Sequence, residues 1–281
     1  MQDILRIISV KNLLKVFCTV SQSTLGKFFA KRGGAPAVFN GSMALSGTLF
    51  FLLIGCLSGM TFHVPTLLWG ILYGLSLCLS MHAGLKALAT GPLALTGIIA
   101  SFSLVIPLLF GVLAWDETLS AAGGAGIVLL TASILLLCGK SESGIAGKWL
   151  LFAFLTFAAN GICAVVQKYH QLCYPQQYRT EFMLFSLSTV QLVLLTVQLF
   201  RRLPPHLSVS GLAAGVLNGA ANFIILLLAA AAHASVLFPL LSVAKIMATF
   251  CVGALFFGER PRPLQLLGLF LGILSIVLLN I

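Results

Sequence analysis

Gly111-Val112-Leu113-Ala114-Trp115-Asp116-Glu117 and, 142 residues later, Gly253-Ala254-Leu255-Phe256-Phe257-Gly258-Glu259 are two copies of one pattern, an apolar run that ends in an acidic turn. The same register lays positions 87–137 over 229–279 without a gap. Leucines align by chance in a chain this apolar, so the weight falls on Gly111, Glu117 and Gly126, which meet Gly253, Glu259 and Gly268. Leu129, Ser133, Ile134, Leu136 and Leu137 then meet Leu271, Ser275, Ile276, Leu278 and Leu279. The chain therefore reads as two related halves, 1–139 and 148–281, joined by a polar stretch at 140–147.

Composition says what solvent those halves live in. With 59% hydrophobic residues, 8% charged residues and a mean hydropathy of +1.09, the chain has more apolar surface than a soluble core of 281 residues can hide. Lipid has to cover the rest. A spanning helix needs roughly 20 mainly apolar residues, so this length is filled by about ten spans. The periodicity predicts them at 12–30, 36–57, 67–89, 92–113 and 119–138, then at 148–166, 181–200, 208–231, 234–257 and 264–280. Lys31-Arg32-Gly33-Gly34, Thr90-Gly91-Pro92, Arg201-Arg202-Leu203-Pro204-Pro205 and Gly258-Glu259-Arg260-Pro261 fall in the gaps, as turn chemistry requires.

The fold class expected is all-α, a polytopic membrane protein of ten transmembrane helices. Each half carries five, and an odd number makes the second half enter the membrane from the opposite face, so the repeats are inverted. The first apolar segment carries Lys15 and Lys27 and has no short apolar core followed by a small-residue cleavage site, so it is expected to be a retained helix and not a signal peptide. The net charge of +10 would suggest a nucleic-acid partner in a soluble protein; here the basic residues punctuate apolar runs, and membrane orientation accounts for them. Seven cysteines lie mostly inside apolar segments without metal-binding spacing and read as buried thiols. Gly70 and Gly74, Gly211, Gly215 and Gly219, and Gly268 and Gly272 recur at four-residue spacing, which lets helix backbones approach closely. Gly123-Gly124-Ala125-Gly126 sits in an apolar helix with no preceding strand, so it is no nucleotide fingerprint. Tyr169, Tyr174 and Tyr178 lie in the longest loop expected, 167–180, and read as headgroup-level anchors.

The segments Leu113-Ala114-Trp115-Asp116-Glu117-Thr118-Leu119 and Leu255-Phe256-Phe257-Gly258-Glu259-Arg260-Pro261 resemble the short Gly-Glu turn of the drug/metabolite transporter superfamily, in its ten-helix, EamA-like branch. The resemblance covers essentially the whole chain and is most specific in the fourth and fifth helices of each half. It implies a ten-helix bundle around a central cavity, substrates ranging from amino acids and metabolites to drugs and nucleotide sugars, and both termini in the cytoplasm. It also implies a structural turn for Glu117 and Glu259, each carboxylate capping the N-terminus of the helix that follows.

Ionisable groups inside a span are costly and each needs a reason. This sequence puts Lys15, Lys27, Lys86, Lys245 and His82 within spans, while Asp3, Asp116, Glu117, Glu142, Glu181 and Glu259 fall at loops or helix ends. Lysines without counter-acids favour an anionic or zwitterionic substrate, amino-acid-like or phosphorylated, whose own carboxylate or phosphate supplies the missing charge. Lys245 is the first candidate, with Ser242 and Thr249 on its helix face and Pro239 upstream. Lys15, Thr19, Gln22, Ser23 and Gly26 form a polar stripe on the first helix. Lys27 and Lys86 lie near helix ends, where long stems snorkel to headgroups. His82, four residues before Lys86, is a candidate proton relay with it.

Uncharged candidates are Asn160, Gln191 and Gln198, Asn218 and Asn222, and the face of Tyr73, Ser76 and Ser80, all equally able to act as interhelical glue. Pro107 and Pro239 either break their helices and free carbonyls for a ligand or merely bend them. The expected function is secondary, ATP-independent transport of a small metabolite by alternating access, with no cofactor and no metal, in the cell membrane, as a monomer or homodimer. Efflux of drugs or organic cations is the alternative within transport; a membrane enzyme or a non-transporting scaffold lies outside it, and no grouping of acid, base and nucleophile suggests catalysis. Orientation pulls two ways: Lys31, Arg32, Lys140, Lys148, Arg201, Arg202, Arg260 and Arg262 lie on the face opposite the termini, which by charge alone would put the termini outside.

Overall fold

A computed structural model describes residues 2–114, 120–137, 145–175, 177–202, 207–229, 234–259 and 263–278, and all regular structure among them is helical. The elements are α1 (Gln2–Lys31), α2 (Pro36–Ser58), α3 (Val64–Thr90), α4 (Leu93–Ser101), a 3-10 turn (Phe102–Leu104), α5 (Val105–Ala114), α6 (Ala121–Leu137), α7 (Ile145–Cys173), α8 (Arg179–Phe200), α9 (Val209–Ala229), α10 (Ala234–Phe257) and α11 (Pro263–Leu278). α4, the 3-10 turn and α5 form one rod, Leu93–Ala114. Pro107 explains its tightened turn: it has no N–H to donate to the Ser103 carbonyl and its ring crowds that carbonyl, so the backbone winds more tightly just upstream. α10 runs unbroken through position 239. α7 continues to Cys173, so the loop expected at 167–180 is much shorter and Tyr169 lies on a helix, 4.8 Å from the Trp69 ring.

Among the described residues five helices are long and apolar enough to cross a membrane: Pro36–Ser58, Val64–Thr90, Leu93–Ala114, Gly147–Cys173 and Arg179–Phe200. Shorter apolar helices cover Ala121–Ser133, Val209–Ile224, Val243–Phe257 and Pro263–Leu278. Their outer faces are leucine and phenylalanine, with Leu57, Leu113, Leu199 and Leu255 at least 77% exposed, while Thr66, Ser133, Ser186 and Ser275 are fully buried. That is the reverse of a water-soluble protein, and a surface for lipid.

Small residues set how closely the rods pack. A Cβ on Gly74 of α3 would stand 2.5 Å from the Ser186 carbonyl oxygen of α8, and one on Gly211 of α9 would stand 2.6 Å from the Phe39 carbonyl oxygen of α2. No side chain fits at either crossing. Gly74→Val is expected to lower stability by about 1–3 kcal/mol through overpacking. Gly124→Ala in α6, where a Cβ meets nothing within 4 Å, is expected to raise it by about 0.5–1 kcal/mol through helix propensity. Thermal melting of the two variants in detergent checks both signs.

α1 packs on α9 and α3 on α7; α2 packs on α9 and α3 on α8; α2 meets α8, α4 meets α10 and α6 meets α11. At the last crossing Ser133 Oγ donates to the Gly268 carbonyl at 2.6 Å and Ser275 Oγ donates to the Gly126 carbonyl at 2.9 Å. An apolar cluster around Ile98, Ile99, Phe102, Leu130, Trp149, Ile246 and Ile276 fills the bundle between α4, α6, α7, α10 and α11. Smaller apolar clusters join α1 with α9 and α10, α2 with α8, and α2 with α3 and α9, and a cavity opens between them.

Candidate functional site

A cavity of about 340 Å³ opens among α1, α2, α3, α4, α7, α8, α9 and α10. Helical spacing of three and four residues decides which side chains reach it. α1 contributes Thr19, Gln22, Ser23 and Gly26; α3 contributes Tyr73, Leu77, Ser80, Gly84 and Leu88; α7 contributes Thr156 and Asn160; α9 contributes Asn218 and Asn222; α10 contributes Lys245 and Thr249. α2 adds Asn40, Met43 and Ala44, and α4 adds Thr96 and Gly97. Most of these stripes are the polar faces of otherwise apolar helices, so the cavity gathers much of the bundle's internal polarity in one place.

Carboxamides organise its wall. Asn222 Nδ2 donates to Asn218 Oδ1 at 2.8 Å, Asn218 Nδ2 donates to Gln22 Oε1 at 3.0 Å, and Gln22 Nε2 reaches the Met43 sulfur at 3.5 Å. This ladder ties α9 to α1 and α1 to α2. Across the cavity Ser80 Oγ donates to Asn160 Oδ1 at 2.6 Å, which holds α3 against α7. Thr19, Ser23, Thr156 and Thr249 each donate to the carbonyl four residues earlier on their own helix, at 2.7–3.1 Å. Their hydroxyl lone pairs remain available as acceptors. Asn40 is 2% exposed and its Nδ2 has no hydrogen-bond partner among the described residues. A buried amide in that state is costly unless something else completes it.

Among the described residues Lys245 is the one basic residue lining the cavity, and no acid lines it. It stands about midway along α10, and among the described residues no carboxylate pairs with it. Lys15 does not line the cavity, although its charge is close enough to interact with that of Lys245. Its backbone carbonyl accepts the Thr19 hydroxyl.

Of the residues singled out from sequence, Lys245, Gln22, Thr249, Asn160, Asn222 and Tyr73 come together here, with Thr19, Ser23, Gly26, Ser80 and Asn218. The side chain of Ser242, and Asp116 and Glu117 entirely, lie outside the described residues. His82 and Lys86 do not line the cavity; the Lys86 ammonium sits 5.1 Å from the centre of the Phe152 ring. Ser76 bonds its own helix, and Gln198 donates to the Ala37 carbonyl at 2.8 Å as interhelical glue. Asn40, Met43, Thr96 and Thr156 were not among the expected residues. Asn40 carried a readable signal, a lone carboxamide inside an apolar span.

Two expectations are corrected. Lys27 does not snorkel: it is 3% exposed, forms an ion pair with Glu259, and donates to the Gly91 carbonyl at 3.2 Å. The lysines of this chain are therefore not all without a counter-acid. Glu259 caps a helix, but not the one that follows it: its Oε1 accepts the Leu93 N–H at 2.6 Å and its Oε2 accepts the Ala94 N–H at 3.1 Å, at the start of α4. Gly258, at φ 64°, supplies the left-handed turn that swings the carboxylate back to that end.

The opposite end of α3 carries a second polar cluster. His63 Nδ1 lies 2.9 Å from Thr66 Oγ1, which lies 3.1 Å from Nε2 of the buried His170. Tyr178 stacks on His63 with ring centres 4.3 Å apart, and Phe182 stacks on His170 at 4.5 Å. α3 has 27 residues, so the two clusters are separated by about 40 Å with the cavity between them. Thr66→Val leaves both imidazoles without their shared partner and is expected to cost about 1–3 kcal/mol. Loss of protection in the first turn of α3 by hydrogen exchange, against little change near Gly91, checks it.

No known family's sequence profile matches this chain, and no curated protein matches it. Among solved structures, one described only as the crystal structure of a protein is similar over 96% of this chain and 97% of its own, with a TM-score of 0.64 and 16% identity. The whole-chain fold is thus shared with a solved protein, and at that identity the likeness extends to the fold alone.

Proposed function

We propose that this chain is a secondary, ATP-independent carrier that moves a small anionic or zwitterionic metabolite across the cell membrane by alternating access, within or close to the EamA-like branch of the drug/metabolite transporters. The observation that carries this reading is the polar cavity inside an apolar-surfaced bundle, with Lys245 at its wall and, among the described residues, no acid beside it. A polar cavity of this size in a helical bundle is what a small-molecule site needs.

The packing supports ten spans in two inverted five-helix halves. With α4 and α5 taken as one span, the contacts between halves pair off when the halves are exchanged: α1 on α9 answers α3 on α7, and α2 on α9 answers α3 on α8. Ser133 bonds Gly268 and Ser275 bonds Gly126, a reciprocal pair in which each serine and each glycine answers its counterpart 142 positions away. A two-fold in the membrane plane lets one half rock against the other around a fixed site. Both termini then share one face, which the family resemblance assigns to the cytoplasm.

Counterflow in proteoliposomes tests this. Purified protein, loaded in turn with a panel of unlabelled anions, zwitterions and cations, is expected to accumulate the matching labelled solute without ATP, saturably and above empty liposomes. If no class of solute exchanges, the carrier reading fails.

A further inference from the structure

We infer that the cavity selects a small organic anion that bears its charge on one carboxylate or phosphate-type group, carries hydroxyls or other uncharged polar groups on the rest of its body, and has no ammonium group. The inference rests on the carrier reading and narrows its substrate class. Three observations lead to it.

The first is charge. Lys245 is the only charged group on the cavity wall among the described residues, and Lys15 stands near enough to add to its charge, so an anion offsets positive charge that no carboxylate there balances, whereas an amino acid brings its own ammonium next to that lysine. An occluded state sheds water, and an unbalanced charge costs most there. The second is the set of unspent hydrogen-bonding groups. The Asn40 Nδ2 is buried and without a partner among the described residues, and the Asn160 amide nitrogen, its oxygen already accepting from Ser80, is a further donor. Around them Thr19, Ser23 and Thr249 offer lone pairs, which suit the hydroxyls of a ligand body. The third is size. A cavity near 340 Å³ holds roughly ten water volumes, enough for a body the size of a hydroxy acid or a sugar acid.

Matched probes separate the possibilities. Exchange of labelled glycerate, gluconate and glycerol 3-phosphate is compared with that of serine, glucose and tetraethylammonium in the same proteoliposomes. Glycerate and serine differ at one carbon, hydroxyl against ammonium. At least one anion is expected to exchange about tenfold or more faster than serine, glucose and the cation, in keeping with one charge-assisted contact. Lys245→Met is expected to erase that advantage, and Asn40→Leu, with melting temperature measured alongside, to raise the KM of the anion about tenfold with little change in maximal rate. Serine exchanging as fast as glycerate, or glucose or the cation outpacing every anion, overturns the inference and leaves the carrier reading standing. Should none of the six probes exchange, the carrier reading falls and this inference with it.

Discussion

Glu259→Ala is expected to lower stability by about 3–5 kcal/mol, the cost of leaving one member of a buried ion pair alone. The size follows from how much that carboxylate holds. It pairs with Lys27, whose side chain is 4% exposed against its own 13%, and it accepts the first two free N–H groups of α4. Removing it strands a buried ammonium, uncaps a helix and cuts the tie between the C-terminal part of α1 and the turn before α11. Lys27 keeps only the Gly91 carbonyl and the face of the Phe257 ring, 4.8 Å away. Glu259→Gln keeps one acceptor for α4 and is expected to fall between alanine and the native residue. In the double variant Lys27→Met with Glu259→Gln, no charge is left stranded, so much of the loss is recovered. Thermal melting of the four proteins in one detergent gives the ordering. Equal melting temperatures for native and Glu259→Ala would show that this end of the bundle is held by other contacts.

If the occupant is the anion proposed, Lys245→Met is expected to reduce its exchange by about a hundredfold or more, a loss of about 3 kcal/mol or more, since a hydrogen bond to a charged group is worth ~1.5–3 kcal/mol and the anion would also lose the counter-charge on the cavity wall. Stability is expected to move the other way. Lys245 has no carboxylate partner among the described residues and sits mid-helix within the bundle, so replacing it by an apolar side chain of similar length removes a desolvation cost. A rise in melting temperature together with loss of exchange distinguishes a binding residue from a structural one. Exchange that persists unchanged, or a melting temperature that falls, assigns Lys245 to the packing of α10.

Local signals were legible in the chain, and distant pairings were not. The face of Thr19, Gln22, Ser23 and Gly26 was readable because α1 is regular and its polar residues recur at helical spacing, and the same holds for Asn218 with Asn222 and for Lys245 with Thr249. The partner of Lys27 lies 232 positions away and that of Thr66 lies 104 away. No periodicity within one helix reports on such pairs. Lys27 looked like a snorkelling residue because its helix ends four residues later; what meets it there is Glu259, just past the end of α10, together with the Phe257 ring and the Gly91 carbonyl. The Glu259 cap went to α4 for a related reason. An acidic turn announces a cap, but which helix it serves depends on packing between the two halves. Lys15 shares the stripe of Gln22 yet misses the cavity, since a stripe along a 30-residue helix runs beyond the space it borders.

The two polar clusters at the ends of α3 frame how such a carrier would work. Lys27, Glu259 and the start of α4 close one end, beside Gly26 and Leu93 of the cavity wall, and His63, Thr66 and His170 tie α3 to α7 at the other. Alternating access requires that each end open in turn while the wall between them stays intact.

The most direct measurement places a single cysteine at Ser23, whose hydroxyl bonds only its own helix, in a background with the seven native cysteines replaced. A membrane-impermeant thiol reagent is then applied from either face of oriented proteoliposomes. An alternating-access carrier predicts labelling from both faces, slowed on both by saturating substrate. Labelling from one face alone, or labelling that substrate leaves unchanged, would contradict it.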